Sequence, residues 1–137
     1  MAPLAIDRVL TDGSIVAVGP LRLTARSTPA HSPGSTSWTW QSCAGGECRA
    51  LAYADSATTI SADGYRFKDH PARVAAVRLG LARIAALPCD LILTPHPAAS
   101  AMWERFAGTA PLAAPGACKA YAWAAAMRFD ARLAAES

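Results

Sequence analysis

The chain has 137 residues, enough for one domain with a real core, and 53% of them are hydrophobic, with alanine supplying much of that share. No run of about 18 or more apolar residues occurs, so nothing in the sequence reads as a membrane span. The formal net charge is only +3, and the arginines are scattered rather than clustered with aromatics, which removes the electrostatic footprint of a nucleic-acid binder.

The first residues, Met1 to Arg8, lack a charged region followed by an apolar core, so a signal peptide is not expected within this chain. Ile6–Leu10 and Ser14–Val18 are short β-type runs separated by Thr11-Asp12-Gly13, which predicts a hairpin. After a turn at Gly19-Pro20, Leu21–Arg26 alternates apolar and polar residues and reads as a half-buried strand. Next comes Thr28-Pro29-Ala30-His31-Ser32-Pro33-Gly34, a histidine in a loop stiffened by prolines. Ser37–Ser42 is the following strand, with Trp38 and Trp40 on one face and Thr39 and Gln41 on the other.

Cys43-Ala44-Gly45-Gly46-Glu47-Cys48 reads as a hairpin tip whose cysteines face each other. Arg49–Ala54 returns as the partner strand and ends in the polar loop Asp55-Ser56-Ala57-Thr58-Thr59. Polar residues directly after a strand are candidates for a site at the sheet edge. Asp55 alone reads as a turn former, and Ser56 has no neighbouring general base in sequence that would support a nucleophilic role.

Pro71–Leu87 has helical periodicity, with Val74, Val77, Leu81 and Ile84 inward and Arg73, Arg78 and Arg83 available for solvent. Asp69 or His70 is the expected N-cap, and His70 reads as structural. Gly80 in mid-helix costs about 1 kcal/mol against alanine and suggests close packing. Leu91–Thr94 reads as a strand buried on both faces, and it runs into a second proline-flanked histidine, Pro95-His96-Pro97. Pro97–Phe106 is expected to be a short helix with Met102, Trp103 and Phe106 on one face. After the Gly108–Gly116 loop, a last helix over Cys118–Leu133 carries a stripe of Cys118, Ala122, Ala125, Phe129 and Leu133.

This order predicts one sheet with its helices mainly on one side, an α/β or α+β layer. A sheet covered on one side only should leave an apolar face in need of a partner. Four cysteines allow three pairings. If Cys43 and Cys48 pair at the hairpin tip, Cys89 and Cys118 remain, and a bridge between them closes a loop of about 30 residues, worth roughly 3–4 kcal/mol. An even count so placed favours an oxidising compartment. Two histidines, His31 and His96, each just past a strand and held by prolines, suggest parts of a metal site, because zinc demands fixed ligand positions. The sequence contains too few further ligands to complete one.

The run from Thr28 through His31 to Trp40 resembles the third subclass of the class B metallo-β-lactamases. So do Tyr53-Ala54-Asp55-Ser56, Gly64-Tyr65-Arg66, Leu87-Pro88-Cys89-Asp90, Leu93-Thr94-Pro95-His96-Pro97 and Cys118-Lys119-Ala120-Tyr121. The match runs over nearly the whole chain but covers only the C-terminal half of such an enzyme. The resemblance implies an α/β fold that is half of an αββα sandwich, with residues 1–137 forming that half. It implies two zinc ions in the intact protein, with His31 a ligand of the first and His96 of the second. Ser56 would orient water beside the second zinc, and Ser56 with Thr58 would help hold the substrate carboxylate. Cys89 and Cys118 would form one disulfide, and Cys43 and Cys48 another.

The intact protein would hydrolyse the β-lactam amide by a zinc-bound hydroxide in the periplasm, with β-lactam antibiotics as substrate. No His-x-His-x-Asp-His motif occurs in this sequence, so the N-terminal half of the fold is expected as the missing partner, and the chain alone is expected to be inactive. Ala30 stands where the family usually has glycine, a substitution with a steric cost if the position needs φ > 0. A thioester or lactone hydrolase of the same fold, or a non-catalytic half, are the alternatives. Trp38-Thr39-Trp40, Ser56 and the Cys89/Cys118 pair argue against the first of these.

Overall fold

The computed structural model describes residues 5–136, so Met1–Leu4, the start of the segment read as no signal peptide, lies outside the described residues. Five strands form one sheet in sequence order: β1 (Ile15–Val18), β2 (Leu21–Ser27), β3 (Thr36–Ala44), β4 (Glu47–Tyr53) and β5 (Leu91–Leu93). The first four pair antiparallel, and β5 adds parallel to β4. Three helices follow β4: α1 (Pro71–Ala85), α2 (Met102–Phe106) and α3 (Ala117–Ala135).

The β3–β4 hairpin turns on Gly45 and Gly46, both at positive φ (60° and 86°), as a two-residue turn of this hand requires. Cys43 and Cys48 are register partners below that turn and are disulfide-bonded. The Asp12-Gly13 turn behaves differently from its sequence signal. Ile6–Leu10 is not a strand, and Ile6 and Val9 are each 80% exposed. The turn instead closes on β2: Gly13 N–H donates to Ala25 O (2.8 Å), and Asp12 Oδ1 accepts from Ser27 N (2.7 Å). The turn is thus tied to β2, and Ile6–Leu10 does not pair with the open edge of β1.

Alternation along each strand sorts the sheet into two faces. Thr39, Ala52 and Ile92 are register partners on one face, and Ala52 and Ile92 join Val77, Leu81, Ile84, Ala122 and Phe129 in the core. Phe67 packs edge-on against Phe129 at 5.2 Å, closing that core from the side. On the other face, Ala25, Trp38, Tyr53 and Leu93 are register partners, as are Trp40, Leu51 and Leu91. Apart from Ala25, these residues are only half-buried. β5 is therefore not buried on both faces: Ile92 is buried, but Leu91 and Leu93 lie on the open side of an edge strand.

Gly80 explains the packing of α1. A Cβ there would lie 2.4 Å from Ala30 N and 2.8 Å from Pro29 C, so the loop backbone rests directly on the helix. Cys89 and Cys118 form the second disulfide, tying the segment after α1 to α3, and Arg78 pairs with Asp130 (2.8 Å) between the two helices. The expected helix over Pro97–Phe106 is split. A 3₁₀ turn covers Pro97–Ser100, Ala101 takes φ 50°, and α2 starts afresh at Met102. Trp103 and Phe106 point outward rather than into the core.

Replacing Gly80 by alanine pushes a methyl group into rigid backbone. We expect it to destabilise the chain by about 2–3 kcal/mol, the upper part of the range for overpacking. Urea denaturation followed by circular dichroism measures this, and an unchanged midpoint would contradict the close contact.

Candidate active-site edge

Because β2 and β4 both run antiparallel to β3, and β5 runs parallel to β4, strands β2, β4 and β5 all end at the same edge of the sheet. The loops after them carry His31, Ser56 with Thr58, and His96 respectively. Topology thus collects all four residues at one end of the molecule.

His31 is exposed, but its ring is held. Nδ1 lies 2.7 Å from the Thr58 carbonyl oxygen and 3.2 Å from Thr58 Oγ1. A carbonyl oxygen only accepts, so Nδ1 carries the proton in the neutral ring and Nε2 keeps its lone pair. That is the arrangement by which a ligating histidine is oriented through its other nitrogen. Thr58 is fixed in turn: its hydroxyl shares a hydrogen bond with Ser56 Oγ (2.8 Å), and its N–H donates to Ser56 Oγ (3.3 Å). Ser56 itself is buried.

The loop bearing Ser56 is pinned on both sides by one residue. The Tyr121 hydroxyl donates to Asp55 O (3.3 Å) and accepts from Ala57 N–H (3.0 Å). Burial pushes the Tyr121 phenol above its ordinary pKa, so it stays a neutral donor and acceptor. Ser37 Oγ accepts from Asp55 N–H (3.0 Å) and bonds Thr28 Oγ1 (2.8 Å), linking this loop to the His31 loop across β3. Asp55 contributes its backbone to this network.

The arm after β5 is built separately. Thr94 Oγ1 donates to His96 O (2.9 Å) and bonds Ser100 Oγ (2.8 Å). Arg105, 6% exposed, crosses beneath: Nε donates to Ser100 O (3.0 Å), Nη1 to Leu112 O (3.2 Å) and Nη2 to Ile92 O (2.5 Å). Burial lowers its pKa from the ordinary value. The structure therefore joins His31, Ser56 and Thr58 in one cluster. No hydrogen bond among the described residues joins His96 to it. His70 stands apart, stacked on Tyr65 at 4.5 Å, and begins α1 without a side-chain cap bond.

Three supporting residues carried weak sequence signals. Tyr121 lies at helical spacing beside the buried stripe of α3, and Ser37 alternates onto the helix-facing side of β3. Arg73 is half-buried rather than a solvent arginine: it donates to Pro29 O (2.8 Å) and Ala30 O (2.6 Å), while Arg83, exposed as expected, donates to Ser27 O (3.0 Å). Ala30 is fully buried and is not at positive φ, so its side chain carries no backbone penalty in place of glycine.

The donor chemistry fits zinc at each arm, with an imidazole held through Nδ1 at His31, but it is partial. Among the described residues, no group of three or more His, Cys, Asp or Glu gathers in a way that could hold a metal. Among them, too, no helix is long and apolar enough to cross a membrane.

No protein-family model matches the chain. Solved structures do. The metallo-β-lactamase MIM-1 from Novosphingobium pentaromativorans is 59% identical, with a TM-score of 0.94 over 98% of this chain and 50% of that one. SMB-1, a metallo-β-lactamase solved with bound 2-mercaptoethanesulfonate, is 41% identical, with a TM-score of 0.89 over 95% of this chain and 52% of its own. MEM-A1, a subclass B3 metallo-β-lactamase from a soil metagenome library, is 38% identical, with a TM-score of 0.90 over 99% of this chain and 55% of its own. The chain spans about half the length of these structures. Its sheet and helices are one half of a metallo-β-lactamase fold. Over almost all of its own length the chain is similar to these metallo-β-lactamases, among them one of subclass B3.

Tyr121→Phe removes the group that satisfies Ala57 N–H and Asp55 C=O. Leaving such buried groups unpaired costs about 1–3 kcal/mol. A lowered urea midpoint in the variant checks this, and full stability would show that the phenol is dispensable.

Proposed function

We propose that residues 1–137 are the C-terminal half of one zinc-dependent β-lactamase domain. His31 is the ligand that this half gives to one zinc ion, through Nε2, and His96 is the ligand it gives to a second. The observation that carries this is the His31 Nδ1 bond to the Thr58 carbonyl, which turns a bare lone pair outward from an otherwise fixed ring. The remaining ligands belong to a half that bears the His-x-His-x-Asp-His motif. Bound zinc supplies Lewis-acid polarisation of the lactam carbonyl and makes water acidic enough to attack it near neutral pH.

The chain's own residues position and bind. Thr58 holds the His31 ring by its carbonyl and, being half-buried, has surface left for the substrate carboxylate. Ser56 is buried with its hydroxyl already engaged by Thr58, so it acts on carboxylate and water through that pair. Tyr121 and Ser37 keep the loop in register with His31 by hydrogen bonds to its backbone. The two disulfides suit an oxidising compartment such as the periplasm.

A catalytic zinc usually takes three protein ligands, and one histidine per ion falls short of that. The purified 137-residue chain with added zinc is therefore expected to leave nitrocefin intact at the rate of the blank. Hydrolysis at ordinary enzyme rates, about 1–10³ per second, would contradict the assignment of a half-site.

A further inference from the structure

The backbone immediately before His31 is docked on α1, and Arg73 makes its polar contacts there. Nη1 donates to Pro29 O at 2.8 Å and Nη2 to Ala30 O at 2.6 Å, so two parallel donors grip successive carbonyls. Gly80, on the same buried side of the helix, lets those two residues lie against the helix backbone. Arg83 takes Ser27 O at the start of the loop. The loop is therefore fixed by its main chain, and the residue next to the double contact is His31.

We infer that Arg73 is a positioning residue for His31. By holding the Pro29 and Ala30 carbonyls, it sets where the His31 Cα lies and which way its ring turns toward Thr58. A planar two-donor fork defines an orientation in a way that a single point donor cannot. Without it, the loop keeps its prolines but loses its angle to α1, and the ring is free to exchange its Nδ1–H···O bond for the other tautomer. Its significance for metal binding rests on His31 being a ligand; the positioning itself does not.

The chain has only three histidines, so selective ¹⁵N-histidine labelling gives a readable spectrum. Two-bond ¹H–¹⁵N spectra report which ring nitrogen of His31 carries the proton, in the wild type and in Arg73→Met and Arg73→Lys. The wild type is expected to show the Nδ1–H tautomer alone. Arg73→Met is expected to keep its helical circular dichroism and populate both tautomers, with Arg73→Lys between the two. A folded Arg73→Met chain with the wild-type His31 spectrum would overturn the inference. If Arg73→Met does not fold, Arg73→Lys decides, and a wild-type His31 spectrum in it counts against the inference. Zinc titration of the wild type is read on the same signals. If the tautomer follows Arg73 but zinc leaves His31 Nε2 unmoved, the metal-ligand assignment fails while the positioning role stands.

Discussion

The site depends on a contact between two stretches of backbone. The loop that carries His31 lies on α1 at the one place where the helix has no Cβ, with Pro29 and Ala30 atoms where a side chain would start. Every larger residue at position 80 would lift the loop off the helix. The expected helix penalty of a mid-helix glycine is thus exchanged for a fixed approach distance. From that contact follow the reach of Arg73 to the loop carbonyls, the meeting of His31 with Thr58, and the bond from Thr28 to Ser37.

The two histidine arms are held by the same means. Each is gripped through its carbonyls by an arginine, Arg73 for one and Arg105 for the other, with no carboxylate bonded to either guanidinium among the described residues. Charge-assisted bonds to neutral carbonyls orient each arm without an ion pair. They also spend the arginines on geometry. Around them, the Ser56–Thr58 pair, Ser37 and Tyr121 form a neutral hydrogen-bonded frame, and no buried side-chain polar atom among the described residues is left without a partner. A frame of this kind is stiff because breaking any member strands a buried group.

Much of this was legible in the sequence, and the rest was hidden for physical reasons. The Gly-Gly tip and its cysteines, the strands from Leu21 onward, and the α1 and α3 stripes follow from local turn chemistry and periodicity, which act over a few residues. Ile6–Leu10 misled because Asp12 spends its carboxylate on Ser27, fifteen residues away. Arg73 looked like a solvent residue because a helical pattern records side-chain polarity and not what backbone lies across the groove. The break at Ala101 follows from the buried Arg105 claiming Ser100 O, a demand that no local signal announces. Of the site, the proline-held histidines stood out in the sequence, whereas the partner of His31 is a main-chain carbonyl and leaves no mark there.

The half-buried face of Trp38, Trp40, Leu51, Tyr53, Leu91 and Leu93 and the incomplete ligand set at the adjoining edge are two aspects of one deficit. On the proposed reading, a second layer would bring apolar surface and further ligands to both. The most direct measurement is the zinc content of the 137-residue chain assembled with a separately produced half of a subclass B3 relative that carries the His-x-His-x-Asp-His motif. Two zinc ions per complex are expected, falling to one when His31→Ala or His96→Ala replaces the wild-type chain. A complex that keeps its full zinc content in both variants would contradict the assignment of one ligand to each metal.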